Sequence, residues 1–510
     1  MYAITPELMR KIDKEQAKLQ QNGEKTLMYN AGLCAVSAIE EKIAGDRAVI
    51  LCGAGNNGGD GYVIAEELCL QGWDVTVFNY LPKKRRTPAS SHFMHKARAA
   101  GCRMLPLVMG KKYEKAIAEC DVVVDAVFGT GFHGALPEEL TAPLRMASEC
   151  GALKLSIDCP SGVDPLHGTV ESDAFTADMT VCMSYPMRGI FMLPARAYCG
   201  KIEVCDIGMD YRTIEAEYGF TDTVCDKDTI RRVFNKRSAA SHKGSYGKCV
   251  LICGSEAMPG AARLALSGAL RMGVGLCELV APRSVIACCA AAYPEAIYTE
   301  IPDSASWSDN DINKILERAD GASAVLCGCG LGNNAGTQGL VRALIEREGA
   351  RLVLDADAIN ALSVIGLERA AGEMILTPHP GEFSRLTGLT ADKIAESRYT
   401  LAKNFAAEKN AVLLLKGADT VTASPDGRVC FNSTGNPGLA KGGSGDVLAG
   451  MCAGILAQGK SAFDAASSAA YLHGAAGDLL KEKYSEYGYL TGELARAAAE
   501  VLGHALNEDR

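Results

Sequence analysis

No stretch of this chain approaches the roughly 18 apolar residues that a membrane-crossing helix needs. Residues 1–20 carry Glu7, Arg10, Lys11, Asp13, Lys14, Glu15 and Lys18 where a signal peptide would have an uninterrupted apolar core. A basic excess is also missing. The net charge of −9 disfavours nucleic acid and anionic membranes as the main partner, so small anionic molecules must be caught locally by loops and helix ends. The chain is expected to work on such small molecules, with neither nucleic acid nor membrane as partner, as a homo-oligomer. Cysteine is plentiful, with 20 residues, but Cys327-Gly328-Cys329 and Cys288-Cys289 have no partner pair at zinc spacing. The remaining cysteines lie singly in apolar runs such as Leu51-Cys52 and Leu251-Ile252-Cys253, which is how reduced, buried thiols are used, so a cytoplasmic location is expected. There is no Walker A loop and no internal repeat.

What the chain does have is length and alternation. At 510 residues with 48% hydrophobic and 22% charged content it exceeds what one core usually serves. After an amphipathic N-terminal helix, strands are predicted at 47–52, 73–80, 121–128, 153–158, 179–183 and 201–207, with helices to about 70, near 91–100 and near 143–150. A polar, weakly patterned stretch from Met209 to about Asp228 interrupts the rhythm, and the domains are divided there as 1–222 and 223–510. The second series has strands at 248–254, 276–281, 322–328, 351–355, 374–378 and 411–416 and helices at 260–272 and 335–348. A hairpin follows around Pro425-Asp426-Gly427, then alanine-rich helices from Gly445. Strands alternating with helices at this spacing predict α/β architecture in both domains, with parallel sheets covered on both faces.

The most informative segment runs from Asn436 to Asp446, Asn-Pro-Gly-Leu-Ala-Lys-Gly-Gly-Ser-Gly-Asp, directly before an apolar helix. Gly442, Gly443 and Gly445 leave backbone N–H groups open at a helix start, a cradle for phosphate. Asp446 sits in the first helical turn, where the dipole and the amides are expected to favour its ionised form, ready to take a proton from an attacking hydroxyl. Ser444 can cap the helix. Other strand ends point to the same crevice: Lys416-Gly417-Ala418-Asp419-Thr420, Thr377-Pro378-His379-Pro380-Gly381-Glu382 and Gly328-Cys329-Gly330-Leu331-Gly332.

In the first domain, Asn56-Asn57-Gly58-Gly59-Asp60-Gly61 departs from the dinucleotide fingerprint, because two asparagines and an aspartate supply oxygen ligands beside the amides. Gly129-Thr130-Gly131-Phe132-His133-Gly134-Ala135 and Asp158-Cys159-Pro160-Ser161-Gly162-Val163-Asp164 follow two further strands. Asp125, Asp158 and Asp164 are read as carboxylates of one crevice rather than as turn formers. Lys83-Lys84-Arg85-Arg86 is a basic loop that stays solvated or meets a ligand phosphate.

Together with Pro259-Gly260-Ala261-Ala262, the motifs from about residue 223 onward resemble the NAD(P)H-hydrate dehydratase family, a branch of the ribokinase-like fold. The loops of residues 1 to 215 are similar to the NAD(P)H-hydrate epimerase family, on a Rossmann-like three-layer sandwich; Asp158-Cys-Pro-Ser-Gly stands where that family usually has Asp-Ile-Pro-Ser-Gly. The resemblance implies a bifunctional repair enzyme. Its first domain would interconvert R and S forms of hydrated NADH and NADPH, and its second would dehydrate the S form with ADP as phosphate donor and magnesium present. By the same carry-over Asp446 is the dehydratase base, while Ala261, Gly332 and His379 line the hydrate pocket with it. Lys416, Gly417, Ala418, Asp419, Thr420 and Gly445 contact the nucleotide. In the first domain Asp158 contacts the reacting ring, and Asn56, Asn57, Gly58, Gly59, Asp60 and the loop Gly129 to Ala135 hold the dinucleotide. Asn57, Asp125 and Ser161 hold a potassium ion, for which oxygen-only ligands are suited. The rival readings are a kinase for a vitamin-like alcohol with a dinucleotide-sensing first domain, and a pair of non-catalytic nucleotide-binding modules.

Overall fold

The structure is a computed structural model that describes residues 1–80 and 86–507. It divides into two compact units, Tyr2–Asp222 and Thr223 to the C-terminus, with Met1 grouped with the second. Of the basic loop, Lys83, Lys84 and Arg85 lie outside the described residues. Arg86 donates to the Tyr62 hydroxyl (3.1 Å) and to Asn79 Oδ1 (3.2 Å).

The first unit is built on strands β1 (Arg47–Cys52), β2 (Asp74–Asn79), β3 (Arg103–Pro106), β4 (Val122–Ala126), β5 (Leu153–Ile157), β6 (Met179–Met183) and β7 (Lys201–Cys205). All pair in parallel, in the order β3-β2-β1-β4-β5-β6-β7. The alternation of β1 shows why helices cover both faces. Ala48, Ile50 and Cys52 join a core with the helices Pro6–Leu19, Glu24–Glu40 and Asn56–Leu70, while Val49 and Leu51 join a separate core with Lys111–Glu119 and Glu138–Glu149. The short, half-buried β3 and the helix Lys111–Glu119, which buries only Tyr113 and Ile117, are absent from the sequence expectation. Elements this short and this exposed leave little apolar periodicity to read. The stretch read as patternless contains the helix Tyr211–Tyr218, capped by Asp210 and ended by left-handed Gly219.

The second unit carries β8 (Asp222–Val224), β9 (Lys248–Ile252), β10 (Leu276–Ala281), β11 (Ile297–Glu300), β12 (Ala324–Cys327), β13 (Arg351–Leu354), β14 (Glu373–Leu376), β15 (Val412–Leu415), β16 (Val421–Ala423) and β17 (Val429–Phe431). Their order is β11-β10-β9-β12-β13-β14-β15-β16-β17-β8, parallel from β11 to β15, with β15, β16 and β17 antiparallel. The helix Ser444–Ala457 is buried along nearly its whole length, which explains its apolar run. It meets the helix Pro259–Arg271 closely: a Cβ on Gly268 would lie 3.0 Å from the Met451 amide nitrogen, and one on Gly454 2.9 Å from Ala269 Cα. Only glycine permits that approach. In both sheets strand order reverses beside the first strand of the series, between β1 and β4 and between β9 and β12, and ligands of open α/β sheets bind beyond such a switch point.

Candidate active sites

In the second unit the loops that follow β12, β13, β14 and β15 converge. Lys416, just past β15, places its ammonium 2.8 Å from Asp355 Oδ1 and 3.8 Å from Glu382 Oε2. Asp355, just past β13, also accepts from Thr377 Oγ1 (2.8 Å) and from the Cys329 thiol (3.6 Å). Ligand atoms of Cys329, Asp355 and Asp446 lie within 4.8 Å of one another. A Cβ on Gly445 would stand 3.2 Å from Lys416 Nζ, so the glycine at the helix start faces the ammonium directly. Burial, and next the charge of Asp355, push the Asp446 carboxyl up to about 6, against the lowering effects of the Cys329 hydrogen bond and Lys416. This reverses the sequence expectation that dipole and amides would favour its ionised form. It leaves Asp446 near the ideal value for a base at neutral pH.

The phosphate cradle is open. Gly443 is left-handed (φ 87°), the Ser444 amide turns back to the Lys441 carbonyl (3.3 Å), and no side chain caps the helix Ser444–Ala457, so the next amides of its first turn are the ones that can meet an anion. Ser444, expected to cap, instead turns its hydroxyl to His473 Nε2 (3.2 Å), and burial holds His473 neutral, down at about 4. The segment before the cradle is braced from behind. Asn436 caps the turn at Gly438 and donates to Asp478, and Lys441 donates to the carbonyls of Tyr487 (3.1 Å) and Tyr489 (2.8 Å).

The remaining sequence-predicted residues divide by role. Ala261 stands beside Gly330, whose Cβ would lie 2.7 Å from that of Ala261, and Gly332 donates its amide to Asp357 (2.8 Å). His379 is a helix N-cap: its Nδ1 accepts from the amides of Gly381 and Glu382, and its exposed ring reaches the Lys416 cluster only through Glu382. Asp419 forms a buried ion pair with Arg398 (3.0 Å), and Arg398 also donates to the carbonyls of Leu415 and Lys416. Thr420 Oγ1 bonds back to Gly417. Gly417, Ala418, Asp419 and Thr420 thus form a rigid turn that aims Lys416. Thr377, Cys329 and Glu382 belong to strand ends that the sequence reading placed at the crevice without giving them a role, and Asp355 and Asp357 are members it did not single out. The signal for these two was present in Leu354-Asp355-Ala356-Asp357, a strand end like the others.

In the first unit, Asn57 lies in the first turn of Asn56–Leu70. Its Nδ2 donates to the Phe128 carbonyl (2.8 Å) while its Oδ1 is buried with no hydrogen-bond partner. Ser161 donates its hydroxyl to Asp125 Oδ1 (2.6 Å) and its amide to Asp125 Oδ2 (2.7 Å), and its Oγ accepts from the Phe128 amide (2.9 Å). The Phe128 peptide unit thus links the Asn57 side chain to Ser161, and Ser161 links it to Asp125. Burial raises Asp125 to about 6 despite those bonds. Asp158 adopts a left-handed backbone (φ 62°), accepts from the Met183 amide (3.0 Å), and is raised to about 6 by burial. Asp60 is more than nine-tenths buried, and Gly58 and Gly59 beside it are buried as well. Asn56 is held by the Thr87 hydroxyl (2.8 Å). Gly129 packs on Asn57, Thr130 and Gly134 are half-buried, and Gly131, His133 and Ala135 are exposed. Phe132 stacks near Phe128 (4.9 Å between centroids), which meets Tyr80 (6.0 Å), giving an aromatic wall beside the loop. Asp164 departs from the sequence expectation: its carboxylate caps the amides of Leu166 and His167 (2.8 Å each), so it is a turn former.

Two family models and several known proteins match this chain. Residues 249–500 match a family model described as NAD(P)H-hydrate dehydratase, and residues 24–189 one described as YjeF-related protein N-terminus. A ribokinase-like superfamily protein of Enterococcus faecalis V583 is similar in structure, with a TM-score of 0.50 and 25% identity, over 56% of this chain and 96% of that one. Similar in sequence are the bifunctional NAD(P)H-hydrate repair enzymes of Moorella thermoacetica, 36% identical over 98% of this chain and 97% of the relative, and of Thermofilum pendens, 32% identical over 98% and 95%. With both family models matched in order and relatives aligned nearly end to end, the chain belongs to the bifunctional NAD(P)H-hydrate repair enzyme family.

Proposed function

We propose that this chain repairs hydrated NADH and NADPH in two steps: residues 1–222 epimerise the R and S hydrates, and residues 223–510 dehydrate the S form at the expense of ADP, giving AMP and phosphate. The observation that carries the reading is the placement of Asp446. A carboxyl near neutrality stands at the open N-terminus of a helix, between an amide cradle for phosphate and the ammonium of Lys416.

The chemistry follows from that placement. Hydroxide is a poor leaving group, so the 6-hydroxyl must first be made a phosphate ester. Asp446 takes its proton as the oxygen attacks the terminal phosphoryl group of ADP, while the cradle amides and Lys416 hold the charge that develops on phosphate. The ring nitrogen lone pair then expels phosphate, and loss of a proton from carbon 5 restores the dihydronicotinamide. Magnesium fits here as an ion carried by the nucleotide phosphates. The cluster at Asp446 contains a thiol and a lysine ammonium, which is no cage for a hard divalent cation, and magnesium keeps most of its shell from water and phosphate.

In the first unit the buried, unpartnered Oδ1 of Asn57 supports a hard monovalent cation, read as potassium, held with Asp125, Ser161 and the Phe128 carbonyl. Held there, such an ion would tie together the loops that follow β1, β4 and β5 and would supply fixed positive charge. Asp158, on the same loop as Ser161, then faces the reacting ring.

A ribokinase-like fold also favours a kinase for a vitamin-like alcohol. Product analysis separates the two. Incubation of S hydrate with ADP should give NADH, AMP and phosphate in equal amounts, whereas an accumulating phosphate ester would establish the kinase.

A further inference from the structure

Three aromatic side chains stand together at the carboxyl end of the first sheet: Tyr80 just past β2, and Phe128 and Phe132 in the stretch after β4. The Phe128 ring lies 4.9 Å from that of Phe132 and 6.0 Å from that of Tyr80, centroid to centroid, and all three rest on the core that contains Leu51, Leu136 and Leu140. Each nevertheless stays half-buried. Phe78 and Tyr113 give the contrast, since they belong to the same core, meet edge to face at 4.9 Å and are each only 1% exposed. Rings left open at the end of a sheet offer a flat ligand a stacking surface. The surface is also held in place in advance. The Tyr80 hydroxyl donates to Glu139 Oε1 (3.1 Å) and its amide to the Cys52 carbonyl (2.9 Å), while the Phe128 carbonyl accepts from Asn57 Nδ2 (2.8 Å) and its amide donates to Ser161 Oγ (2.9 Å). Such anchoring spares a ligand the cost of ordering the rings.

Strand order places this wall relative to Asp158. Asp158 follows β5 and Tyr80 follows β2, with β4 and β1 between them, so the two strand ends are three strand spacings apart, about 14 Å. That is the order of separation between the two rings of an extended dinucleotide. The switch point lies between β1 and β4, and a sheet of this order takes a dinucleotide across it, one half to each side. The glycine-rich stretches after β1 and β4 then fall where the phosphates would lie. We propose that Tyr80, Phe128 and Phe132 form the platform for the adenine of the hydrated dinucleotide. The first unit would thereby select dinucleotide hydrates over the hydrate of reduced nicotinamide mononucleotide, which has the reacting ring and one phosphate but no second base. The inference rests on the reading of the first unit as an epimerase. Tyr80 and Phe128 lie outside the motifs that support that reading, so the wall is an observation separate from them.

The test uses the full-length protein and the purified R hydrates of NADH and of the reduced mononucleotide, without ADP so that the second unit stays idle. Formation of the S hydrate is followed by chromatography, with spontaneous epimerisation subtracted. The parent should favour the dinucleotide in kcat/KM by roughly 5- to 100-fold, the worth of one base stacked on an aromatic ring. Tyr80→Ala and Phe132→Leu should each remove most of that preference by raising KM for the dinucleotide, with kcat changed by less than about threefold. Tyr80→Phe keeps the ring and loses only the bond to Glu139, so it should keep the preference. Equal losses on the two substrates would mean that the rings serve the fold or the reacting half, and would overturn the inference. A parent that treats the two hydrates alike, or a preference unchanged in Tyr80→Ala and Phe132→Leu, would overturn it as well while leaving the epimerase reading intact. A parent that epimerises neither hydrate above background overturns both.

Discussion

In the proposed dehydration, Asp446 is a residue tuned for chemistry at a cost to stability. Its carboxyl is raised to about 6 by burial and by Asp355, so the folded protein disfavours the charge that catalysis needs. The sign is that of a raised acid: above the unfolded value of 3.8 the unfolded chain has lost its proton while the folded one keeps it, and the penalty grows until pH passes about 6. Asp446→Asn should therefore lower dehydration by roughly 10²- to 10⁴-fold with ADP binding nearly kept. It should also raise stability at pH 8 by up to roughly 3 kcal/mol, a gain that fades as pH falls through 6 toward 4. Calorimetric unfolding at the two pH values and single-turnover kinetics check both. For the parent, the dehydration rate should drop as pH falls below about 6. A variant that keeps turnover within a few-fold would remove Asp446 as base.

The elements around the proposed cation site depend on close approach by glycine. A Cβ at Gly129 would stand 2.9 Å from Asn57 Cγ, so Gly129→Ala must push the amide off the point where Oδ1 is left unpartnered. Epimerisation of R hydrate and its dependence on potassium should be lost together, while S hydrate is still consumed with ADP at the parent rate. Retained potassium dependence in that variant would place the ion elsewhere. Strands, glycine loops and the hairpin near Gly427 were legible in the sequence because long buried strands and turn residues carry strong local patterns. The helix Lys111–Glu119 and strand Arg103–Pro106 were not, since each buries too little to impose a period. The turn role of Asp164 and the diversion of Ser444 to His473 were hidden for another reason: a polar side chain near glycine has several partners in reach, and only the fold selects one.

At the scale of the whole chain, each sheet has its own switch point, its own glycine loops and its own acids raised to about 6, Asp125 and Asp158 in the first unit and Asp446 in the second. Those acids were visible from sequence because each adjoins a recognisable loop. Asp355 was not singled out. It becomes part of a site only when Lys416, 61 residues away, is brought to 2.8 Å. Two sites on one chain imply a division of labour that neither unit could show alone. The most direct measurement is recovery of the NADH absorbance from a mixed R and S hydrate preparation with and without ADP. The account predicts that the parent recovers both epimers only when ADP is present, that Asp158→Ala stops once the S fraction is spent apart from slow spontaneous epimerisation, and that Asp446→Asn recovers neither. Recovery of the R fraction by Asp158→Ala at the parent rate, or recovery without any phosphate donor, would contradict it.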